Sequence, residues 1–301
     1  MNNLKQAAID KSRSYISCLS EAHRMLFDNI RQIFSKTWIF VLVLSILSAT
    51  YFSIHIHAML YGTNTALTTG ICITAVATLC AQVVYLARVM FLINGRPMIW
   101  NIKRCTNITA CYIGFCFILT LIYAAITYGI VLSKGSVTLA ELLPVFYIFG
   151  GVSFVIMLIM LPFIYVGLKY IMEPDSKLRK IITKSYVTGL RYWGFIFIAL
   201  LLATLCTSIC GALVSIPTLI VMAANALSVF GVNYLGDPTG LPSYFTVIQF
   251  TVVTFSSFIC LYINIFAIFV CYFLYGSIET KEKEKKAVSY THLRAHETSL
   301  H

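Results

Sequence analysis

Six long apolar stretches without a charged residue constrain the fold of this chain more than any other feature. Each is 22 to 30 residues long, and about 20 helical residues cross a bilayer core of about 30 Å. Composition agrees, because 59% of the 301 residues are apolar and only 11% are charged, against about 25% in a soluble domain. The sequence therefore predicts an all-α polytopic membrane protein: a bundle of six transmembrane helices with cytoplasmic amphipathic surface helices.

The predicted organisation divides the chain into consecutive segments. A cytoplasmic amphipathic segment covers residues 1–36, the transmembrane domain covers 37–276, and a charged cytoplasmic tail covers 277–287. Proline more often kinks a membrane helix than ends it. The fourth span is therefore drawn through Pro162, and an extension of the fifth beyond Pro217 stays open. The six spans are predicted at about 37–60, 66–87, 109–132, 143–168, 193–216 and 246–275.

The last residues, 288–301, are predicted to be a non-native tail. Residues 288–298 read VSYTHLRAHET, which looks like the translation of an adaptor used in sequencing libraries. Such a sequence is set aside before the fold is considered. The alternative is a natural histidine-bearing tail that binds a metal through His292, His296 and His301.

The basic residues predict how the chain is threaded. Of 22 Lys and Arg residues, 21 fall in the N-terminal segment, the second and fourth loops and the C-terminal tail, and only Lys134 falls elsewhere. Positively charged loops stay in the cytoplasm, so both termini are predicted to be cytoplasmic. The net charge of +11 is then an orientation signal, and no nucleic-acid partner is expected.

Two amphipathic segments precede spans and are predicted to lie at the inner membrane surface. The first carries an apolar stripe that includes Leu19, Ala22 and Leu26, and the second is predicted to turn Leu178, Ile181 and Leu190 inward. Their basic residues, with nearby loop residues and tryptophans, are predicted to contact anionic lipid headgroups. These candidates are Lys36, Trp38, Arg96, Trp100, Lys177, Arg179, Lys180, Lys184, Arg191 and Trp193.

Polar side chains within the spans have two interpretations. Small and polar residues recur at helical spacing, for example from Ala199 through Thr207 to Ser215, and this pattern is typical of helix packing in lipid. The alternative is a hydrated cavity or substrate path near Gln82, Gln249 and Asn264. The complete set of candidate cavity or packing residues is Gln82, Gln249, Asn264, His57 and Thr207.

The sequence contains no recognisable catalytic chemistry. It has no HExxH, GxSxG or GxxxxGK[ST] motif, and no acidic residue falls in any predicted span. Cys206 and Cys210 share a helical face but have no histidine or carboxylate at their depth, so cysteine is expected to behave as a small apolar residue. No catalytic residue, metal site or cofactor is predicted.

In layout the chain resembles uncharacterised bacterial inner-membrane proteins that have six spans, basic amphipathic lead-in helices and cytoplasmic ends. The resemblance rests on arrangement and transfers no functional residue. The leading hypothesis is a non-enzymatic protein with a structural, assembly or regulatory role in the membrane, acting through lipids, a protein partner or a homo-oligomer. A permease or lipid-handling transporter is the alternative, and an intramembrane enzyme is the third possibility.

Overall fold

The chain is mostly helical in the part that a computed structural model describes, namely residues 11–134, 139–174, 177–236 and 240–298. These ranges contain nine α-helices, one π-helical turn at Gly231–Leu235 and no strand, which confirms the all-α prediction. The helices are α1 Tyr15–Asp28, α2 Ile30–Tyr61, α3 Thr65–Asn94, α4 Met98–Lys134, α5 Leu139–Met160, α6 Pro162–Met172, α7 Leu178–Arg191, α8 Trp193–Phe230 and α9 Phe245–Thr298.

Among the described residues, six segments are long and apolar enough to cross a bilayer, as in a multi-pass membrane protein. Their mean hydropathies over the best window lie between 2.0 and 2.4. They are Ile30–Tyr61, Thr65–Asn94, Met98–Ser133, Leu143–Met160, Trp193–Leu235 and Phe245–Val288.

The described residues form two compact units. The first contains the residues up to Met98 and those from Ile198 onward. In this unit α2 packs against both α3 and α9, and α1 packs against α9. Asn64 begins α3 by accepting a hydrogen bond from the Leu67 amide at 2.8 Å, as an N-cap residue does.

The apolar stripe of α1 is covered by protein. Ala22 and Leu26 are buried, and Cys18 Sγ lies 3.6 Å from Ser277 Oγ of α9. The Arg13 guanidinium lies 5.1 Å from the centre of the Phe273 ring. The apolar stripe of this segment, which was predicted to lie at the inner membrane surface, therefore packs on α9.

The second unit is Ile99–Phe197, and α6 and α7 form a packed pair within it. Val166 and Tyr170 of α6 bury Ile181 of α7 in a cluster that Ile108 of α4 also contacts. Gly189 of α7 lies so close to α6 that a Cβ added there would stand 2.8 Å from Pro162 Cβ. Leu178 and Ile181 thus pack on α6 as predicted, whereas the prediction that Leu190 lies on the same inward face is wrong, because Leu190 is 44% exposed.

The chain turns at Leu161, so the fourth apolar run is divided between α5 and α6. Pro162 is the first residue of α6, a position that needs no amide hydrogen. Proline leaves the carbonyl four residues earlier without its helical donor. Trp193 Nε1 donates to that Leu158 carbonyl at 2.8 Å, and Tyr186 OH donates to the Ile159 carbonyl at 3.0 Å.

Candidate functional site

One of the three predicted path residues, Gln249, lies inside the contact between α8 and α9. Its side chain is 5% exposed, and its Oε1 accepts a hydrogen bond from Asn225 Nδ2 at 3.1 Å. Each side-chain amide supplies one hydrogen-bond partner to the other between two apolar helices, where an unpaired polar group is costly. Gln249 therefore occupies a packing position.

Helix α8 continues through Pro217, and α9 supplies a hydrogen bond beside it. Ser256 Oγ donates to the Val214 carbonyl at 3.3 Å, three residues before the proline, and accepts from Thr218 Oγ1 at 3.0 Å. Pro217 removes the helical donor of the Leu213 carbonyl, so the bond from Ser256 to Val214 joins the two helices one residue beyond the carbonyl that the proline releases. On the predicted small-residue face, Ser215 Oγ lies 3.9 Å from Cys260 Sγ, and a Cβ added at Gly211 would stand 4.0 Å from the same sulfur.

Replacing Ser256 with alanine is expected to lower the free energy of unfolding by about 1 kcal/mol. The change leaves the Val214 carbonyl and the Thr218 hydroxyl without this partner. Titration with sodium dodecyl sulfate in mixed micelles would measure the effect. The exposed Ser208 of α8 is the control, because Ser208→Ala should change little. Equal effects of the two substitutions would contradict a special role for the Ser256 hydroxyl.

An apolar groove lies between α8 and α9 beside Pro217, and Val214 and Ser256 also line it. Its volume is about 420 Å³, and its wall includes Leu213, Pro217 and Phe255. Neither Gln82 nor Asn264 contributes to it. Its lining suits an acyl chain better than a polar solute.

The remaining predicted polar residues do not converge on this groove. Gln82 of α3 and Asn264 of α9 are exposed. The Thr207 hydroxyl bonds to the carbonyls of Ala203 and Thr204 in its own helix. His57 is exposed, and its ring centre lies 4.7 Å from that of Tyr61.

Helix α7 presents the most concentrated basic surface among the predicted headgroup-binding residues. Arg179, Lys180 and Lys184 are exposed, as are Lys177 before the helix and Arg191 at its end. At 100° per residue, Lys177, Lys180, Lys184 and Arg191 fall within about 60° of arc. We call these four residues the α7 basic stripe.

The exposed side of α7 also carries apolar side chains. Val187 is 55% exposed and Leu190 is 44% exposed, whereas Ile181 on the packed side is 9% exposed. The helix contains no acidic residue. Its free surface therefore combines cations with an apolar pair immediately before the span that begins at Trp193, and this combination is typical of membrane interfaces.

The other predicted headgroup contacts occupy varied positions. Trp38 is exposed, whereas Lys36, Arg96, Trp100 and Trp193 are half-buried. The Lys36 carbonyl accepts a hydrogen bond from Arg88 Nε at 2.9 Å. The Trp193 indole bonds to the Leu158 carbonyl, so its N–H is already used within the protein.

Arg104 has a structural position that sequence reasoning missed, since it was counted only as a loop charge. It is 8% exposed, and its guanidinium lies 4.4 Å from the Trp100 ring centre and 4.3 Å from that of Tyr170. It donates to the carbonyls of Tyr170, Glu173 and Pro174. These carbonyls surround the C-terminus of α6, where a cation is favourable.

Cysteine and histidine side chains are the candidate nucleophiles and metal ligands in the described part of the chain. No set of three His, Cys, Asp or Glu residues there could hold a metal ion. Burial raises the pKa of the Cys18 thiol above its usual value, which favours the protonated form over a nucleophilic thiolate. Comparison of the chain with protein-family models, curated proteins and solved structures finds no match.

Proposed function

We propose that this multi-pass membrane protein is a non-enzymatic component of a bacterial inner membrane that organises anionic lipids at the cytoplasmic face. The observation that carries the proposal is the α7 basic stripe beside the exposed Val187 and Leu190. The opposite face of α7 already packs on α6. Its free side is therefore available to headgroup phosphates and the region beneath them.

The charge distribution supports an inner-leaflet location for α7. The helix lies in the loop between the fourth and fifth spans, one of the regions that hold 21 of the 22 basic residues. Anionic lipids of the inner leaflet attract such residues by about 1 kcal/mol for each charge near the surface. In this arrangement both termini are cytoplasmic.

Packing within the first unit favours this role over a polar permease. Gln249, which a substrate path would need, is bonded to Asn225, and the groove beside Pro217 is apolar. Handling of a lipid chain is the second candidate, and this groove is the observation that favours it.

Replacing Lys180 and Lys184 with glutamine is expected to weaken the preference for anionic lipid by up to about thirtyfold, because two charges near the surface contribute about 2 kcal/mol. The full-length protein would be reconstituted with spin-labelled phosphatidylglycerol or phosphatidylcholine. The ratio of their association constants would then be measured by electron paramagnetic resonance at low salt.

The matched control is Lys285→Gln with Lys286→Gln, which removes the same charge from the extension of α9. This pair should change the ratio much less, because it lies outside α7. A ratio near one for the wild-type protein, or equal losses in both double variants, would exclude α7 as the lipid-binding surface.

A further inference from the structure

The apolar groove follows the line along which α8 and α9 meet. Its wall on α9 runs from Thr251 to Ile259, which is about 12 Å of helical rise. Its sides are open, because Leu213 is 64% exposed and Phe255 is 66% exposed. Ser256, which also lines it, is 5% exposed and bonds to α8. The groove is therefore long and open along its length, and contact between the two helices closes its base.

The dimensions of the groove restrict what can occupy it. It lies within two candidate spans, Trp193–Leu235 and Phe245–Val288, so its surroundings are the bilayer core. A volume of about 420 Å³ over about 12 Å of length leaves a cross-section of about 35 Å². A helix is about 10–12 Å across with its side chains and cannot enter such a space. An extended hydrocarbon chain is narrower and can.

The buried amide of Gln249 lies at one end of this line. Gln249 precedes Ser256 by seven residues, which places the two within about 20° of each other on α9. Its partner Asn225 follows Val214, which lines the groove, by eleven residues and also about 20°. Gln249 is four residues, or about 6 Å, inside the start of the span at Phe245. The far end of the groove is about 15 Å from Gln249, which is half of a bilayer core of about 30 Å.

Gln249 has hydrogen-bond donors that its contact with Asn225 does not use. Its side chain is 5% exposed, and its Oε1 accepts from Asn225 Nδ2. The two hydrogens on Nε2 have no acceptor within the residues that the structure describes. A buried donor without an acceptor is costly. An ester carbonyl of a phospholipid is an acceptor without a donor, and it lies at this level, where acyl chains join the glycerol.

We propose that the groove holds one acyl chain of a phospholipid and that Gln249 Nε2 donates a hydrogen bond to an ester carbonyl of the same lipid. The inference rests on the second candidate function, handling of a lipid chain, and names the ligand and the contact that recognises it. The described residues that line the groove carry no charge, so a zwitterionic phospholipid should bind. Binding here is therefore independent of the α7 basic stripe.

A phosphatidylcholine with a diazirine near the end of one acyl chain tests occupancy of the groove. The full-length protein would be reconstituted in phosphatidylcholine vesicles that contain a trace of this probe. After photolysis, mass spectrometry would map the labelled residues. Labelling of Phe255 and Ile259 should exceed that of the exposed Ile73 and Val76 of α3 at least about fivefold, the factor by which one hydrogen bond favours a bound lipid over a bulk lipid.

Filling the groove should exclude the acyl chain. Val252→Trp adds a large side chain to its wall and is expected to reduce the labelling of Phe255 and Ile259 to that of α3. Val76→Trp, a matched change at an exposed position of α3, should leave that labelling unchanged. Lys180→Gln with Lys184→Gln should also leave it unchanged, so the groove and the α7 basic stripe are tested separately.

Competition by unlabelled diester and diether phosphatidylcholine tests the contact with Gln249. The diester should displace the probe from the groove at about fivefold lower mole fraction, because only the diester has a carbonyl that accepts from Nε2. Gln249→Leu should remove this difference. Gln82→Leu, the same change at an exposed position of α3, should retain it.

Labelling of the groove no higher than that of α3 would overturn the proposal and remove the support for lipid-chain handling. Groove labelling without a preference for the diester in the wild-type protein would overturn the proposal but leave lipid-chain handling supported. A preference that survives Gln249→Leu would have the same meaning. The wild-type comparison of diester with diether decides the question even if Gln249→Leu does not fold.

Discussion

Replacing Arg104 with alanine is expected to lower the free energy of unfolding by about 3 kcal/mol or more. The guanidinium donates to three carbonyls around the end of α6 and lies against two aromatic rings. Hydrogen bonds from a charged donor contribute about 1.5–3 kcal/mol, and cation–π contacts add about 1 kcal/mol. Alanine leaves the carbonyls without these donors, so α6 should separate from α4. Unfolding in mixed micelles would measure the loss.

The neighbouring Lys103 provides the control because it is exposed. Lys103→Ala removes the same charge and should cost less than about 0.5 kcal/mol. Arg104→Lys should recover only part of the loss, since an ammonium cannot reproduce the planar guanidinium between two rings. If Arg104→Ala were as stable as Lys103→Ala, the arginine would not hold the end of α6.

Replacing Gly189 with alanine is expected to destabilise the packing of α7 on α6 by about 1–3 kcal/mol. The new Cβ would stand 2.8 Å from Pro162 Cβ and 3.2 Å from Pro162 Cα and its carbonyl oxygen. A proline ring and its backbone cannot rotate away, so the two helices must move apart. Thermal unfolding followed by tryptophan fluorescence would report the change, since Trp193 bonds to the chain near this contact.

Gly114 of α4 provides the control, because an alanine there is expected not to lower the free energy of unfolding. A Cβ added there meets nothing within 4 Å, so Gly114→Ala should be neutral or stabilise its helix by up to about 1 kcal/mol. Destabilisation by Gly189→Ala alone would confirm the close approach of α6 and α7. Similar shifts in both variants would indicate that helix propensity, rather than contact with Pro162, decides the result.

The number and position of the membrane spans could be predicted from the sequence, because the lipid bilayer determines them. The bilayer imposes a length and an absence of charge, so the six apolar runs correspond to the six candidate spans. Pro162 ends a helix whereas Pro217 does not, and this difference could not be predicted. The carbonyls before Pro162 are bonded by Trp193 and Tyr186, which lie 35 and 27 residues further along the chain, and no local pattern contains such contacts.

In the candidate site, too, some residues could be predicted from the sequence and others could not. The basic residues of α7 were found because charge and helical spacing are visible in the sequence. Gln249 and Asn264 share one face pattern in the sequence, yet the first is bonded to Asn225 and the second is exposed. Arg104 bonds to the Tyr170 carbonyl 66 residues away, a contact that no local pattern contains.

Native mass spectrometry of the protein purified from its own membrane tests the proposed lipid role most directly. Anionic phospholipids should remain bound in excess of their share of that membrane, and Lys180→Gln with Lys184→Gln should reduce the excess. Bound lipids in the proportions of the bulk membrane, unchanged in the double variant, would contradict a role in organising anionic lipid.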